Sequence, residues 1–155
     1  MTESQMNSCF VLNLGPKADG TFCEQEQNII SEIGKWTKKN EEAIWGTQPY
    51  KVFGEGKKQK GGSFTEHFSY TSKDYRFTCN TGAVYAFALK PYAKSEFKIK
   101  SLADSMDLFH CVIKNVSVLG SDEKVRFTQN KKYLTIKLSE KVNETMPICF
   151  KIEVD

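Results

Sequence analysis

The spacing of apolar residues along the chain changes near residue 50. Before that point, a nearly continuous apolar run over residues 9–14 predicts a strand buried on both faces, as in a parallel sheet. Glycine, proline and aspartate in residues 15–20 then indicate a turn. The next apolar residues recur at helical spacing and predict an amphipathic helix over about residues 22–39. The apolar stripe of this helix consists of Ile29, Ile30, Ile33 and Trp36.

The ends of this helix also carry recognisable signals. Thr21 and Glu24 have the spacing of a capping box, which predicts that Thr21 caps the helix and that Glu24 assists it. Glutamates near the start and lysines near the end suit the helix dipole, and we expect the helix to end near Asn40.

After Pro49 the period changes to two, which is typical of strands with one buried face. Residues 84–89 are apolar on both faces, so we expect a central strand there. Seven or eight short runs separated by turn signals predict an antiparallel, jelly-roll-like β-sandwich over residues 50–155. The runs cover residues 75–79, 84–89, 97–99, 111–119, 125–127, 134–138 and 148–154.

The predicted fold is therefore mainly β, with a single strand–helix unit in front of the sandwich. Such a unit cannot be stable alone, because the strand lacks partners and the helix stripe has nothing to cover. Either it packs on the sandwich, or it is the last unit of a larger α/β domain. Residues 54–62 are rich in glycine and lysine and are predicted to form a mobile surface loop, since they fail the phosphate-loop pattern.

Composition and charge narrow the class of protein. The first 50 residues hold four Lys against seven Asp or Glu, whereas residues 51–155 hold eighteen Lys or Arg against twelve acids. No dense basic stripe with interleaved aromatics is present, so nucleic-acid binding is not predicted. No apolar run approaches the ~18 residues of a membrane helix, and residues 1–5 lack the order of a signal peptide. We therefore predict no membrane contact and leave the compartment open.

Candidate catalytic and metal-binding groups are scattered. The histidines are His67 and His110, and they form no pattern with cysteine that predicts a metal site. The five cysteines are dispersed among apolar neighbours, which predicts buried free thiols; they are Cys9, Cys23, Cys79, Cys111 and Cys149.

The carboxylates that could serve glycoside hydrolysis lie in turns, loops and helix ends, where solvated side chains are the ordinary case. They include Asp19, Glu41, Glu42, Asp104 and Asp107, of which Asp19 is better explained as a turn former. Four aromatic side chains allow two interpretations, a sugar-stacking platform or a cover over the seam between helix and sandwich, and we favour the second. They are Trp45, Tyr50, Tyr70 and Tyr92.

Two segments carry a resemblance to a known family. Residues 11–21 read VLNLGPKADGT, and residues 33–47, after the helix, read IGKWTKKNEEAIWGT. In order and spacing they resemble the segment that ends the catalytic barrel of the α-L-fucosidases of glycoside hydrolase family 29. Residues 73–78 (KDYRFT) and 116–121 (VSVLGS) are similar to the β-sandwich that follows the barrel in that family. The resemblance covers nearly the whole chain.

The resemblance implies a division of the chain at residue 49. Residues 1–49 would be the remnant of a (β/α)8-like barrel, with its last strand over 9–14 and its last helix over 22–39. Glu41 stands where the family usually has glycine, so a left-handed backbone there would cost ~1 kcal/mol. Cys23 stands in a segment where the family often has Ile-Pro.

The resemblance also implies a function. The family's retaining hydrolases carry their nucleophile and acid/base on earlier barrel strands, so we expect no catalytic, cofactor or metal residue within this chain. The chain would be the C-terminal part of a hydrolase of fucosylated glycans, inactive alone. The alternative is a stand-alone sandwich that binds carbohydrate or protein without catalysis. Removing the other barrel strands would leave residues 9–14 unpaired, which predicts self-association unless the tail folds back on the sandwich.

Overall fold

The computed structural model describes residues 12–56, 69–105 and 111–155. Within these residues, two helices precede eight strands, and one 3-10 turn (Lys100–Leu102) lies among the strands. The helices are α1 (Glu24–Lys39) and α2 (Glu41–Ile44). The strands are β1 (Gln48–Glu55), β2 (Tyr75–Asn80), β3 (Ala83–Ala88), β4 (Glu96–Ile99), β5 (Ile113–Val118), β6 (Arg126–Gln129), β7 (Leu134–Lys137) and β8 (Ile148–Val154).

The strands form two antiparallel sheets, which confirms the predicted sandwich. The five-stranded sheet has the order β1-β2-β3-β8-β5, and the three-stranded sheet has the order β4-β7-β6. β3 lies at the centre of the larger sheet and all six of its residues are buried, as its apolar sequence predicts.

Alternation along β3 and β8 divides their side chains between two cores. Val84 and Phe150 point into the space between the sheets, where the Phe97 ring of β4 lies edge-on to Phe150 with the ring centroids 4.9 Å apart. Tyr85 follows Val84 and Cys149 precedes Phe150, so both point to the opposite face, where they belong to a second apolar cluster. The larger sheet is therefore buried on both faces.

The two helices supply the cover on that second face. Ala43 of α2 is completely buried there, and Trp36 near the end of α1 packs partly buried against the same cluster. The predicted helix thus exists over nearly its predicted length, and its C-terminal end packs on the sandwich.

The start of α1 differs from its prediction. The residue that caps the helix is Cys23, whose Sγ accepts a hydrogen bond from the Glu26 backbone N–H at 3.4 Å. Thr21 donates its backbone N–H and its hydroxyl to Asp19 instead, so the capping box of Thr21 and Glu24 does not form. The turn role predicted for Asp19 is confirmed.

The predicted barrel strand is the main departure from expectation. Residues 9–11 lie outside the described residues, and residues 12–14 form no strand. A parallel barrel strand is held by hydrogen bonds to neighbouring barrel strands, and the described part of this chain contains no parallel pair that could supply them.

Part of the predicted glycine-rich loop is strand. Gly54 and Glu55 complete β1 and pair with Arg76 and Tyr75, whereas residues 57–62 lie outside the described residues. A Cβ at Gly54 would collide with the Tyr75 carbonyl oxygen, so glycine here permits a close approach of two strands. β1 itself and α2 were not predicted from the sequence.

Candidate functional site

The most unusual surface of the structure lies on α1. Ile29 and Ile33, two members of the predicted apolar stripe, are 51% and 37% exposed, and α1 contains no buried residue. Leu12 and Phe22, just before the helix, are exposed too. We call Ile29 and Ile33 the α1 apolar face. Large apolar side chains grouped on one helix usually mark a surface that another protein element covers.

The C-terminal end of the same helix is fixed to the sandwich. The Trp36 indole N–H donates to the Pro147 carbonyl oxygen at 2.6 Å, and its ring lies 6.0 Å from that of Phe87 on β3. Lys39 forms an ion pair of 2.7 Å with Glu144 beside this contact. These bonds fix the direction of α1, and therefore of its apolar face, relative to the sheets.

A polar cluster fixes α2 in the same way. The Thr78 hydroxyl of β2 donates to the Ala43 carbonyl oxygen at 2.8 Å. Glu42 accepts the Tyr85 hydroxyl at 2.8 Å and binds the Lys151 ammonium at 2.6 Å. The hydrogen bond from Lys151 lowers the pKa of Glu42, and burial raises the pKa of Tyr85. Glu42 is therefore held ionised against the sheet.

The same cluster brings two carboxylates together, because Lys151 also lies 3.5 Å from Glu153. A retaining glycosidase needs one carboxylic acid whose pKa is raised so that it stays protonated. Glu42 has its pKa shifted in the opposite direction, and the ammonium group occupies the space between the two carboxylates. The contacts of this cluster therefore hold α2 against the sheet.

The other carboxylate candidates are dispersed in the structure. Glu41 opens α2 and pairs with Lys38 at 2.7 Å, and Asp104 is exposed. Asp107 lies outside the described residues, as do His67 and His110. Glu41 is helical and has no left-handed backbone. The strain that a left-handed backbone would cause at this position therefore does not arise.

The four predicted aromatics have different environments. Tyr50 is buried in the main core, and burial raises its pKa to about 12. Trp45 and Tyr92 are 67% and 56% exposed, and Tyr70 lies half-buried with its ring 5.9 Å from the Arg76 guanidinium. The prediction that these four cover the seam is therefore wrong for Tyr50, Trp45 and Tyr92. Trp36 covers the seam instead.

Two open hollows of about 420 and 370 Å³ are both lined in part by the Lys39–Glu144 ion pair. Val118 and Leu138 contribute apolar surface to the larger one, and Trp36 contributes to the smaller one. Within the described residues, no group of three or more His, Cys, Asp and Glu side chains could hold a metal ion. None of the described helices is long and apolar enough to cross a membrane.

The cysteines partly match their prediction. All four described cysteines are free thiols, and Cys149 is fully buried, so that burial raises the pKa of its thiol. Cys23 and Cys79 are half-buried, but Cys111 is exposed, against expectation. Cys9 lies outside the described residues.

Comparison with family models gives two matches, one on each side of residues 43–60. Residues 3–42 match the α-L-fucosidase model, and residues 61–153 match the model of the α-L-fucosidase C-terminal domain. The fold and these matches define the C-terminal β-sandwich class of the fucosidases. The chain belongs to the α-L-fucosidase C-terminal domain family, preceded by a segment that matches the α-L-fucosidase model.

Solved structures agree with this assignment. The α-fucosidase of Thermotoga maritima is 22% identical with a TM-score of 0.65, over 92% of this chain and 30% of that one. Isoenzyme 1 of Paenibacillus thiaminolyticus is 16% identical with a TM-score of 0.61, over 94% of this chain and 30% of that one. A family 29 enzyme from Bacteroides thetaiotaomicron, crystallised as a trapped covalent intermediate, is 19% identical with a TM-score of 0.59, over 92% of this chain and 28% of that one.

At this level of identity the solved structures establish the fold. The chain spans about 30% of the length of these fucosidases. No curated protein matches the chain.

Proposed function

We propose that this chain is the C-terminal portion of an α-L-fucosidase-like retaining hydrolase of fucosylated glycans, in which α1 completes the barrel and the sandwich fixes its position. The observation that carries this proposal is the α1 apolar face. A helix that matches the α-L-fucosidase model exposes Ile29 and Ile33, although its other end is fixed to the sandwich by Trp36. The remaining part of a barrel is the partner whose geometry such a helix fits.

The proposed domain limits follow from the same contacts. Residues 1–49 would contribute the end of the barrel and residues 50–155 the sandwich. Burial of Ala43 and the hydrogen bond from Thr78 support α2 as the joint between the two parts. The chain alone would lack the nucleophile and acid/base, which the family carries on earlier barrel strands.

A turnover assay tests the catalytic part of the proposal. The purified chain should release no fucose from a chromogenic α-L-fucoside under conditions in which a family enzyme is active. Turnover that disappears on replacing a carboxylate of this chain, such as Glu42→Gln, would contradict the proposal, because the reactive pair would then lie inside residues 1–155.

A surface assay tests the partner part of the proposal. Ile29→Asp/Ile33→Asp should reduce binding of a hydrophobic dye and any self-association seen by light scattering, with little change in the unfolding midpoint. The matched control Gln27→Asp/Ser31→Asp adds the same charge to the opposite side of α1. If the isoleucine variant unfolds as a core variant does, the face is already covered within this chain and the barrel is not its partner.

A further inference from the structure

The outer face of the three-stranded sheet carries an unbalanced positive charge. Strand register places Glu96, Lys137 and Arg126 side by side in one row, and a second row lies next to it. Their strand neighbours Phe97, Ile136 and Phe127 pack into the core, so the residues of both rows point outward. We call this set the basic face: Glu96, Lys98, Arg126, Thr128, Thr135 and Lys137.

One carboxylate on this face serves two ammonium groups. Glu96 lies 2.9 Å from Lys98 and 3.1 Å from Lys137. Arg126 lies directly opposite Lys137 in register, and no carboxylate of the described residues reaches it within ion-pair distance. Like charges placed opposite each other on adjacent strands are unfavourable. The face therefore carries three cations and one carboxylate, an excess of two positive charges.

A lysine on the other side of the sandwich is compensated more fully. On the five-stranded sheet, Lys151 is half-buried and is neutralised by Glu42 from α2 and by Glu153. Lys98, Arg126 and Lys137 remain exposed instead. Carboxylates of the described residues therefore compensate the cations of the basic face less fully than they compensate Lys151.

We propose that the basic face binds an extended glycan that carries sulfate or carboxylate groups. Neighbouring strands lie about 5 Å apart, so Lys137 and Arg126 lie side by side across the sheet, and Lys98 lies in the adjacent row. The Arg126 guanidinium offers a planar fork that fits an oxyanion, Lys137 and Lys98 offer point charges, and Thr128 can hydrogen-bond a sugar hydroxyl.

The choice of a glycan rests on the proposed function, whereas anion binding rests on the face alone. None of the six positions of the basic face is aromatic, and the exposed Tyr133 beside Lys98 supplies one ring, whereas single-stranded nucleic acid is bound by several successive stacking side chains. A duplex would bind through its phosphates alone and is therefore included in the test.

The test measures binding of the purified chain to immobilised dextran sulfate and polygalacturonate, with uncharged dextran and duplex DNA in parallel. We expect binding to a charged glycan that weakens steeply with added salt, since exposed ion pairs are screened. Arg126→Gln/Lys137→Gln should weaken it about tenfold, because two exposed ion pairs are lost. The control Lys38→Gln/Lys114→Gln removes the same charge from α1 and β5 and should retain binding.

Several results would overturn the proposal. Equal loss of binding in both double variants would indicate a net-charge effect. The proposal would also fail if uncharged dextran bound equally well or if no charged glycan bound at low salt. Tighter binding of duplex DNA than of either charged glycan would likewise contradict it. Fucoside turnover by the isolated chain would refute the proposed function and would leave the charge-dependent binding untouched, so the two failures are distinguishable.

Discussion

Replacing Trp36 should separate α1 from the sandwich more effectively than any change on the exposed part of that helix. Its indole N–H is bonded to the Pro147 carbonyl oxygen at 2.6 Å, and its ring packs beside Phe87. The chosen variants are Trp36→Ala, which removes both contacts, and Trp36→Phe, which removes the hydrogen bond and keeps most of the ring. Ile33→Ala, on the exposed stripe of the same helix, is the matched control.

The magnitude follows from the burial of each side chain. A fully buried Trp→Ala substitution costs about 3–5 kcal/mol, and Trp36 is half-buried, so we expect about 2–3 kcal/mol including the unpaired carbonyl. Trp36→Phe should cost about 1 kcal/mol. For a chain of 155 residues, the larger loss lowers the melting temperature by roughly 5–10 °C. Ile33→Ala should stay within about 0.5 kcal/mol of the wild type.

Two measurements check this order. Urea unfolding followed by far-ultraviolet circular dichroism gives the free energy of unfolding for each variant. Amide hydrogen exchange over residues 24–39 reports whether α1 separates locally before the sheets unfold. In Trp36→Ala the exchange of α1 should accelerate while β3 and β8 remain protected.

The reasoning fails if Trp36→Ala and Ile33→Ala have the same free energy of unfolding. It also fails if the exchange of α1 is as fast in the wild type as in Trp36→Ala, because the helix would then have no stable contact with the sheet to lose.

Three further predictions concern separate parts of the molecule. Because the pKa of Glu42 is lowered below 4.5 in the folded chain, its contribution to stability is present above that pH and is lost as the pH falls through the folded value. Glu42→Gln should therefore unfold with a shallower acid dependence, and parallel acid curves for variant and wild type would refute this. A thiol reagent at mildly alkaline pH should modify Cys111 first and Cys149 only on unfolding, as peptide mass spectrometry would show; early labelling of Cys149 would contradict its burial. Phe97→Ala removes a ring that is 2% exposed and should cost about 3–5 kcal/mol in urea unfolding, and a loss below that of Trp36→Phe would show that the core is misassigned.

The sequence predicts best where one side-chain pattern has one physical cause. β3 is apolar at every position because both of its faces are buried, and the run over residues 84–89 predicts it as a central strand. What covers the second face does not follow from the pattern. Ala43 and Trp36 are distant in sequence, and only the fold brings them against Tyr85.

β1 was missed because its sequence contains two residues that usually interrupt strands. Pro49 and Gly54 both lie within it, and the register between them is shifted by a bulge. Pairing with β2 tolerates the proline at an edge strand and uses the glycine for close approach. Local propensity favoured a break, and tertiary pairing outweighed it.

The α1 apolar face and the basic face also depend on tertiary structure that the sequence pattern does not show. The apolar stripe of α1 predicts a helix that buries one face, but the sequence does not reveal that Trp36 packs on the sandwich while Ile29 and Ile33 of the same stripe stay exposed. The basic face depends on strand register, because Arg126 and Lys137 become neighbours only when β6 pairs with β7. Capping of α1 was misassigned because Asp19 competes for Thr21.

Because the larger sheet is buried on both faces, the position at which the chain is cut decides whether the C-terminal part keeps its core covered. A cut at residue 49 would fall between the two family matches. It would also remove Trp36, Ala43 and Ile44, which cover Tyr85 and Phe87. The sandwich would then present an aromatic sheet face to water, which promotes aggregation. The smallest transferable unit is therefore α1 together with everything after it. Exchange of C-terminal parts between enzymes of this family should succeed when the junction lies ahead of Cys23 and fail when it lies at Pro49.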